Sequence, residues 1–557
     1  MSEGWVARFQ HRADALVAFL ERDRLSILGM FVYVILIALV RDISEYYLLD
    51  HAFVSEPHPW IFSIAHHVSF YLITFMGLVL LLSAFTRRGV RRTANFVSSF
   101  FWIIVLPPFL DHFLFGSNQN YAYFSVTDFL NYLFHFSGQA FHPGQAVEII
   151  TVVAALFAYA VWTKRGELWS VRGRVVALVE VSLLVSFTFM ALFFMATPGA
   201  YLPVGSLDGR PVFPNFDVTR YVQYHLFIFA YYCVMAVALG LALLYLARKG
   251  SFKRFVASMR PAQSFFFLGI VTAGIAMGWL TAGGSEYVTG ILATPYWINL
   301  AFVAVALVAA WLAWEVSTMW NDLSDRSSDS SDRPKRTLPS GLISASSLAQ
   351  VSVVLTLSAL FLAALLSWTQ ALLLGGVFAL SFLYSFPPFR FKEHILSPIL
   401  MGLGAFLAFI YGFLTPFSEI VTVGLGPVFV LPTGDILVAA LTPLAILSGF
   451  YAFLGLVIGS MVTDVDGYEE DIRGKVRTIY TRLGLRWGTT VVAALIFSAS
   501  LTSLAMFTGP LDVILLPVLG IVAAGAFYRR KSSRPVLAVA ALGLLYAAVR
   551  FVEILPH

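Results

Sequence analysis

The segment YWINLAFVAVALVAAWLAWEVSTMWNDLSD, residues 296–325, joins a long apolar run to the first of two groups of carboxylates. The apolar part, residues 296–320, exceeds the roughly 20 residues that a transmembrane helix needs. Asp322, Asp325 and Asp329 follow it with spacings of three and four residues, which place all three on one face if the helix continues past the membrane surface. Such a face can hold one or two hard cations through oxygen ligands.

A second apolar run, residues 433–462, ends in the same way at Asp464, Asp466 and Asp471. Carboxylates crowded at a membrane boundary repel one another unless cations lie between them. Two such clusters that face one cavity would therefore bind divalent metal and, through the metal, a diphosphate. Magnesium suits these clusters better than zinc, because zinc prefers Cys or His ligands and neither occurs nearby.

The composition identifies an integral membrane protein. Hydrophobic residues make up 59% of the 557 and charged residues only 12%, whereas soluble proteins carry about 25% charged residues. The mean hydropathy is +0.82. We therefore predict an all-α, polytopic bundle with about 15 spans. The predicted spans are residues 26–42, 60–85, 94–114, 145–163, 174–196, 222–247, 263–282, 296–320, 342–366, 371–387, 394–415, 433–462, 489–507, 511–527 and 535–553.

Loop charge predicts the orientation of the chain. The Lys- and Arg-rich loops all fall on one side of the alternating topology, and such loops stay in the cytoplasm. We therefore expect the N-terminus and both aspartate clusters to be cytoplasmic in a cell membrane. The net charge of +5 is concentrated in these loops, so it indicates contact with anionic membrane lipid and gives no reason to invoke nucleic acid.

A basic stretch at residues 247–261 predicts a domain boundary. Residues 1–255 would form an N-terminal membrane domain of about six helices, and residues 256–557 a domain of nine helices that carries both aspartate clusters. The N-terminal part also holds nine of the eleven histidines. These histidines have no ligand motif of fixed spacing, so a zinc, haem or acid/base site and a purely structural or regulatory bundle both stay open.

Three motifs resemble the UbiA-type intramembrane prenyltransferases, which are related to 4-hydroxybenzoate polyprenyltransferase. Asn321, Asp322, Asp325 and Asp329 match the family's Asn-Asp-x-x-Asp-x-x-x-Asp motif without gaps. Residues 332–341 look like the Arg-Pro-x-Arg-Pro-x-Pro-Ser-Gly tail that follows it, and residues 384–392 are similar to a later Tyr-Ser and Lys segment. The resemblance covers roughly residues 262–553.

The second cluster departs from the family pattern. Asp464 and Asp471 keep the outer spacing of the family's three acids, but Gly467 occupies the middle position and Asp466 is displaced by one residue. An alternative register pairs Asp466 with Glu470. The register is left open, and all three aspartates are predicted metal ligands.

The resemblance implies a magnesium-dependent prenyltransferase with a prenyl diphosphate donor and a lipophilic acceptor. The acceptor classes are an aromatic or quinone precursor, a glycerol-phosphate lipid, a tetrapyrrole or a carotenoid. Asn321 would assist cofactor binding beside the aspartates, and Tyr384 would stabilise an allylic cation by its π face. The cations that would neutralise the diphosphate are Lys335, Arg336, Lys392, Arg473, Lys475 and Arg477.

Two other classes of function are alternatives for this sequence. One is a transporter or lipid-binding membrane protein whose aspartates bind cations without chemistry. That class predicts charges buried near the bilayer midplane, whereas these aspartates follow the ends of apolar runs. The other is a bifunctional enzyme whose first six helices catalyse an adjacent step of the same lipid pathway.

Overall fold

A computed structural model of the chain forms two units. The first comprises Met1–Val256 with Ile420–Leu431, and the second comprises Ala257–Glu419 with Pro432–His557. The structure describes residues 2–50, 60–116, 142–167, 170–196, 206–207, 210–211, 218–247, 250, 252–253, 256, 259–282, 296–325, 343–417, 422–425, 429–432, 441–474, 476–505, 507 and 509–554.

The N-terminal unit consists mainly of eight helices within its described part. They are α1 Ser2–Leu20, α2 Ile27–Glu45, α3 Trp60–Thr86, α4 Val90–Phe101, α5 Leu106–Phe115, α6 Pro143–Thr163, α7 Val171–Ala196 and α8 Val218–Ala247. Helix α2 continues as a π-helical turn, Tyr46–Asp50, and a 3₁₀ turn, Trp102–Val105, joins α4 to α5. Two short strands, β1 Ser206–Leu207 and β2 Arg210–Pro211, pair antiparallel.

The C-terminal unit contains ten helices among its described residues. They are α9 Pro261–Ala282, α10 Tyr296–Ser324, α11 Ala345–Leu366, α12 Trp368–Ser385, α13 Ser397–Leu414, α14 Pro443–Asp464, α15 Tyr468–Arg473, α16 Ile479–Thr502, α17 Pro510–Arg530 and α18 Arg534–Ile554. Short 3₁₀ turns occupy Phe391–Glu393, Thr415–Phe417 and Ser503–Ala505. Strands β3 Thr422–Leu425 and β4 Phe429–Pro432 lie between α13 and α14 in sequence but, apart from Pro432, belong to the first unit, and they pair with each other.

The predicted all-α membrane bundle is confirmed. Within the described residues each predicted span overlaps a helix, and thirteen of the described helices are long and apolar enough to cross a membrane. The largest difference in a described boundary concerns residues 489–507, because α16 starts with a short turn at Ile479 that is kinked at Gly484, where φ is 78°, before the helix runs on to Thr502. The first turns of α16 carry charged residues and so fall outside a hydropathy-based span. Thr478 caps the start of this helix by accepting a hydrogen bond from the backbone N–H of Thr481.

Serine and threonine side chains begin several of the spans. Ser26, Ser344, Ser367 and Thr442 each accept a hydrogen bond from the backbone N–H three residues later, which satisfies a donor that the first helical turn leaves open. In the junction between α11 and α12, Ser367 is fully buried. These caps fix where the helices begin, and their positions are readable in the sequence.

Glycines let α9 and α13 cross in backbone contact. A Cβ atom at Gly274 would lie 2.2 Å from the Phe409 carbonyl oxygen, and one at Gly278 would lie 2.1 Å from that of Phe413. From the other side, a Cβ atom at Gly412 would lie 2.1 Å from the Val271 carbonyl oxygen. Gly274 and Gly278 form the small-xxx-small pattern that permits close helix approach in membranes. This crossing therefore fixes the position of α13 against α9.

Buried polar contacts reinforce the same region. The Tyr411 hydroxyl donates a hydrogen bond to the Ala306 carbonyl oxygen over 3.2 Å, and so ties α13 to α10. The Gln370 amide donates to the Thr415 hydroxyl over 3.1 Å, which ties α12 to the end of α13. In a bilayer such groups have no water to bond to, so these contacts specify which helices pair.

We expect Gly278→Ala to destabilise the protein by about 1–3 kcal/mol, because the added methyl group would collide with a backbone carbonyl that cannot rotate away. The measurement is thermal unfolding of the purified protein in detergent. The matched control is Gly269→Ala in the same helix, where an added Cβ meets nothing within 4 Å. Equal unfolding temperatures for the two variants would contradict the crossing.

Candidate active site

The first aspartate cluster lies at the end of α10, and Asp322 pairs there with a cation from another helix. The Asp322 carboxylate lies 2.6 Å from a guanidinium nitrogen of Arg260, the residue directly before α9. Asp322 is only 9% exposed. A nearly buried carboxylate needs a positive partner, so the start of α9 and the end of α10 form one charged surface.

Lys392 makes the densest set of contacts at the site. Its ammonium group donates to the Ser324 hydroxyl over 2.6 Å and to the Asn321 side-chain oxygen over 3.4 Å, and it forms a short ion pair with Asp325. Burial lowers the pKa of Lys392, and the neighbouring Asp325 carboxylate opposes that shift. Lys392 therefore brings one positive charge into contact with three side chains of the first motif.

Arg390 adds a second cation in the same loop, which joins α12 to α13. Its guanidinium lies 3.3 Å from the Asp325 carboxylate and 2.8 Å from that of Glu393. The backbone of Arg390 has a φ of 42°, a left-handed conformation that is uncommon for a residue other than glycine. We call residues 390–394 the bridging loop, because the next contact joins it to the second motif.

The bridging loop contacts the segment that follows the second aspartate cluster. The Arg477 backbone N–H donates to the Glu393 carbonyl oxygen over 3.0 Å. The Val476 N–H donates to the Asp471 carbonyl oxygen over 2.9 Å, which folds this segment back on the short helix α15. Lys392 and Glu393 are adjacent in sequence, so one loop contacts the first motif through a side chain and the second motif's tail through its backbone.

The three aspartates of the second cluster have different surroundings. The carboxylates of Asp464 and Asp471 act on each other electrostatically. Burial raises the pKa of Asp471, and the neighbouring Glu470 raises it further. Asp466 instead accepts hydrogen bonds from the backbone N–H of Ser533, over 3.3 Å, and from its hydroxyl, just before α18. The structure thus brings Asp464 and Asp471 together and engages Asp466 elsewhere.

Aromatic side chains surround the helix end on its apolar side. The ring of Trp320, the residue before Asn321, lies 5.8 Å from that of Phe378, 6.1 Å from Phe382 and 6.2 Å from Phe386, measured between centroids. The Tyr384 hydroxyl lies 3.9 Å from the Met401 sulfur. Carboxylates and cations therefore adjoin a group of π faces.

The contacts described above do not include every predicted site residue. Asp329, Lys335, Arg336 and Lys475 lie outside the described residues. Arg473 is exposed on α15, where its side chain donates to the Glu469 carbonyl oxygen over 3.3 Å. Over the described parts of the chain, no group of three or more His, Cys, Asp or Glu side chains is arranged to hold a metal ion.

Three contributors were absent from the sequence-based prediction of the site: Arg260, Arg390 and Trp320. Arg260 fell in the basic stretch taken as a domain boundary and Arg390 in the segment 384–392, because sequence alone does not show which loop cations reach a carboxylate. The conformation of Arg260, with a φ of 52° just before Pro261, is likewise visible only in the structure. Trp320 adjoins the first motif and was counted only as part of an apolar span.

The fold and site define a class: a polytopic helical membrane protein with two acidic helix ends joined by a cationic loop. The sequence pattern of the UbiA prenyltransferase family matches residues 288–548. This match over residues 288–548 confirms the resemblance that the motifs predicted. No curated protein matches the chain.

Several solved structures are similar to slightly more than half of the chain. One, of digeranylgeranylglyceryl phosphate synthase in membranes, is 13% identical with a TM-score of 0.39, and the match covers 54% of this chain and 97% of that one. A UbiA homolog from Archaeoglobus fulgidus bound to DMAPP and Mg²⁺ is 17% identical with a TM-score of 0.38, over 54% of this chain and 100% of that one. The same homolog bound to GPP and Mg²⁺ is 18% identical with a TM-score of 0.37, over 54% and 97%.

A disulfide tests the contact between the bridging loop and the second motif's tail. We expect Glu393→Cys/Arg477→Cys, in a Cys233→Ala background, to form an intramolecular disulfide on mild oxidation. Backbones joined by a hydrogen bond lie within the roughly 7 Å Cα separation that a disulfide tolerates. Peptide mass spectrometry would detect the bond, and each single-cysteine variant is a control. Persistent free thiols in the double variant would contradict this contact.

Proposed function

We propose that the C-terminal unit transfers an isoprenoid chain from a prenyl diphosphate to a lipophilic acceptor, with Mg²⁺ as cofactor. The contact of Lys392 with Asn321, Ser324 and Asp325 carries the proposal, because it concentrates charge where the family's first motif ends. The match to the UbiA prenyltransferase family supports the same reaction. The Archaeoglobus fulgidus homolog has been solved with DMAPP or GPP and Mg²⁺, which agrees with this choice of donor and cofactor.

The chemistry of the donor set fits magnesium. All the side chains concerned offer oxygen, which Mg²⁺ prefers, and those that would hold it are Asp322, Asp325, Asp329, Asp464 and Asp471. Asn321 directly precedes Asp322 in the chain. Asp466 is the weakest candidate ligand, since Ser533 holds its carboxylate. Bound magnesium supplies positive charge that stabilises the departing diphosphate oxygens.

The cations of the site bind and orient the diphosphate. Lys392, Arg390 and Arg260 already lie beside Asp325 and Asp322, so an arriving diphosphate would exchange carboxylate contacts for phosphate contacts. Such charge-assisted hydrogen bonds are about twice as strong as neutral ones. Further candidates for the same role are Lys335, Arg336, Arg473, Lys475 and Arg477.

The reaction breaks the bond between the allylic carbon and the diphosphate oxygen, and the electron pair leaves with the diphosphate. The faces of nearby rings would stabilise the resulting allylic cation, and the candidates are Trp320, Phe386 and Tyr384. A nucleophilic atom of the acceptor then bonds to the same carbon. Among acceptors, the proposal includes aromatic or quinone precursors, glycerol-phosphate lipids, tetrapyrroles and carotenoids, with the site on the cytoplasmic side of a cell membrane.

We expect Asp471→Asn to reduce prenyl transfer by about 100-fold or more, since it removes a carboxylate that would hold the metal. Purified protein in nanodiscs would be incubated with magnesium, radiolabelled farnesyl or geranylgeranyl diphosphate and a lipid extract of the source cells. The label would be followed into lipid. Glu469→Gln is the matched control, because Glu469 is an exposed acid on the same short helix. Full transfer by the Asp471 variant would exclude this carboxylate from the site.

We expect Lys392→Met to reduce the turnover number by about 100-fold, which is the typical effect of removing one donor that stabilises a departing anion. Steady-state kinetics with the same labelled donor provide the measurement. Lys531→Met removes an exposed cation at the end of α17 and is expected to leave turnover unchanged. A similar turnover number in the Lys392 and Lys531 variants would show that Lys392 is only a structural partner of Asp325.

A further inference from the structure

The N-terminal unit contains a cavity of about 180 Å³. Its polar lining consists of Arg41, Tyr71, Thr74, Gln145 and Glu148, contributed by α2, α3 and α6. The remaining walls are apolar and mostly aliphatic, with four phenylalanines from α3 and α4 among them. A mostly apolar pocket with a few convergent polar groups is the usual form of a site for a small ligand.

Charged groups around this cavity are buried within apolar spans. Arg41 is 3% exposed and pairs with Glu45 over 2.6 Å. Asp42 is 2% exposed and lies 2.5 Å from the His67 ring. Ionisable groups within membrane-spanning segments are costly and are usually retained for a function. The family match begins at residue 288, so the family pattern does not account for this group.

Two polar groups of the lining lack a protein partner. Within the described part of the chain, the buried Thr74 hydroxyl has no hydrogen-bond partner. Glu148 likewise makes no hydrogen bond or ion pair, and the charges that act on it are Arg41 and Glu45. A hydroxyl-bearing ligand would satisfy both groups, because its O–H could donate to Glu148 while its oxygen accepts from a neighbouring donor.

The charges described around the cavity disfavour an anionic ligand head. Asp42, Glu45 and Glu148 supply three carboxyl groups around the cavity, against Arg41 and the ring of His67. Tyr71 lines the cavity in the field of all three acids and of Arg41. An added anion would meet this excess of carboxylates in a medium of low dielectric, whereas an uncharged hydroxyl would not.

The volume of the cavity matches a single ring. A buried apolar cavity of about 150 Å³ accommodates benzene, so 180 Å³ accommodates a ring with one or two small substituents. The four phenylalanines in the wall offer edge and face contacts to a flat aromatic ligand. From volume, lining and charge together, we infer that this cavity binds an uncharged, hydroxyl-bearing aromatic ring, of the phenol or hydroquinone class.

Fluorine NMR of the full-length protein in nanodiscs tests this inference. The probes are 4-fluorophenol, fluorobenzene and 4-fluorobenzoate, which share one ring and differ in their polar group. We expect saturable line broadening by 4-fluorophenol beyond that of empty nanodiscs, about tenfold weaker binding of fluorobenzene and no saturable binding of 4-fluorobenzoate. Binding of 4-fluorobenzoate as tight as that of 4-fluorophenol would overturn the assignment.

Adjacent alanines on α6 provide a matched pair of variants. Ala155 lines the cavity, whereas Ala154 is exposed and does not. We expect Ala155→Phe to abolish the saturable binding of 4-fluorophenol and Ala154→Phe to retain it. Binding to the Ala155 variant that matches the unaltered protein would overturn the inference.

A second variant keeps the test decisive if Ala155→Phe fails to fold. Glu148→Leu leaves the cavity open but removes its unpartnered carboxyl group. We expect the preference for 4-fluorophenol over fluorobenzene to fall from about tenfold to about twofold or less. A preference that persists in the Glu148 variant would show that this carboxyl group does not bind the hydroxyl.

Discussion

The buried ammonium group of Lys392 is the interaction on which the described site depends. It holds the end of α10 through Asn321, Ser324 and Asp325, while the next residue accepts a hydrogen bond from Arg477. The two segments it joins are about 150 residues apart in the chain. Burial disfavours the charge on Lys392, so Asp325 must stay close to compensate for it. The charge of Lys392 therefore requires Asp325 close by, and the carboxylate of Asp325 is in turn neutralised by Lys392.

The helical framework holds the residues of the site in fixed positions. Backbone contact between α9 and α13 and the buried Tyr411 and Gln370 hydrogen bonds fix the helices whose ends carry the site. The charged residues then occupy helix termini and loops, where they need not be buried among lipid chains. The proposed reaction needs a membrane-embedded path for an isoprenoid tail and a charged pocket for its diphosphate. A rigid apolar bundle with polar ends would provide these two in separate places.

The sequence predicted the helices because apolar runs of this length have few alternatives to a transmembrane helix. It also identified the first motif, whose spacing is complete. The sequence could not show all of the loop cations that pair with Asp322 and Asp325. Every loop on the predicted cytoplasmic side carries Lys or Arg, and only the fold shows that Arg260 and Arg390 reach carboxylates. The displaced Asp466 was equally ambiguous until its contact with Ser533 separated it from Asp464 and Asp471.

The central claim is that acids of both motifs bind the metal that holds the donor diphosphate. Electron-nuclear double resonance with Mn²⁺ in place of Mg²⁺, and a non-hydrolysable farnesyl thiodiphosphate, measures this directly through the coupling between Mn²⁺ and ³¹P. The account predicts a strong coupling that disappears in Asp322→Asn and also in Asp464→Asn. An unchanged coupling in the Asp464 variant would contradict a site shared by the two motifs.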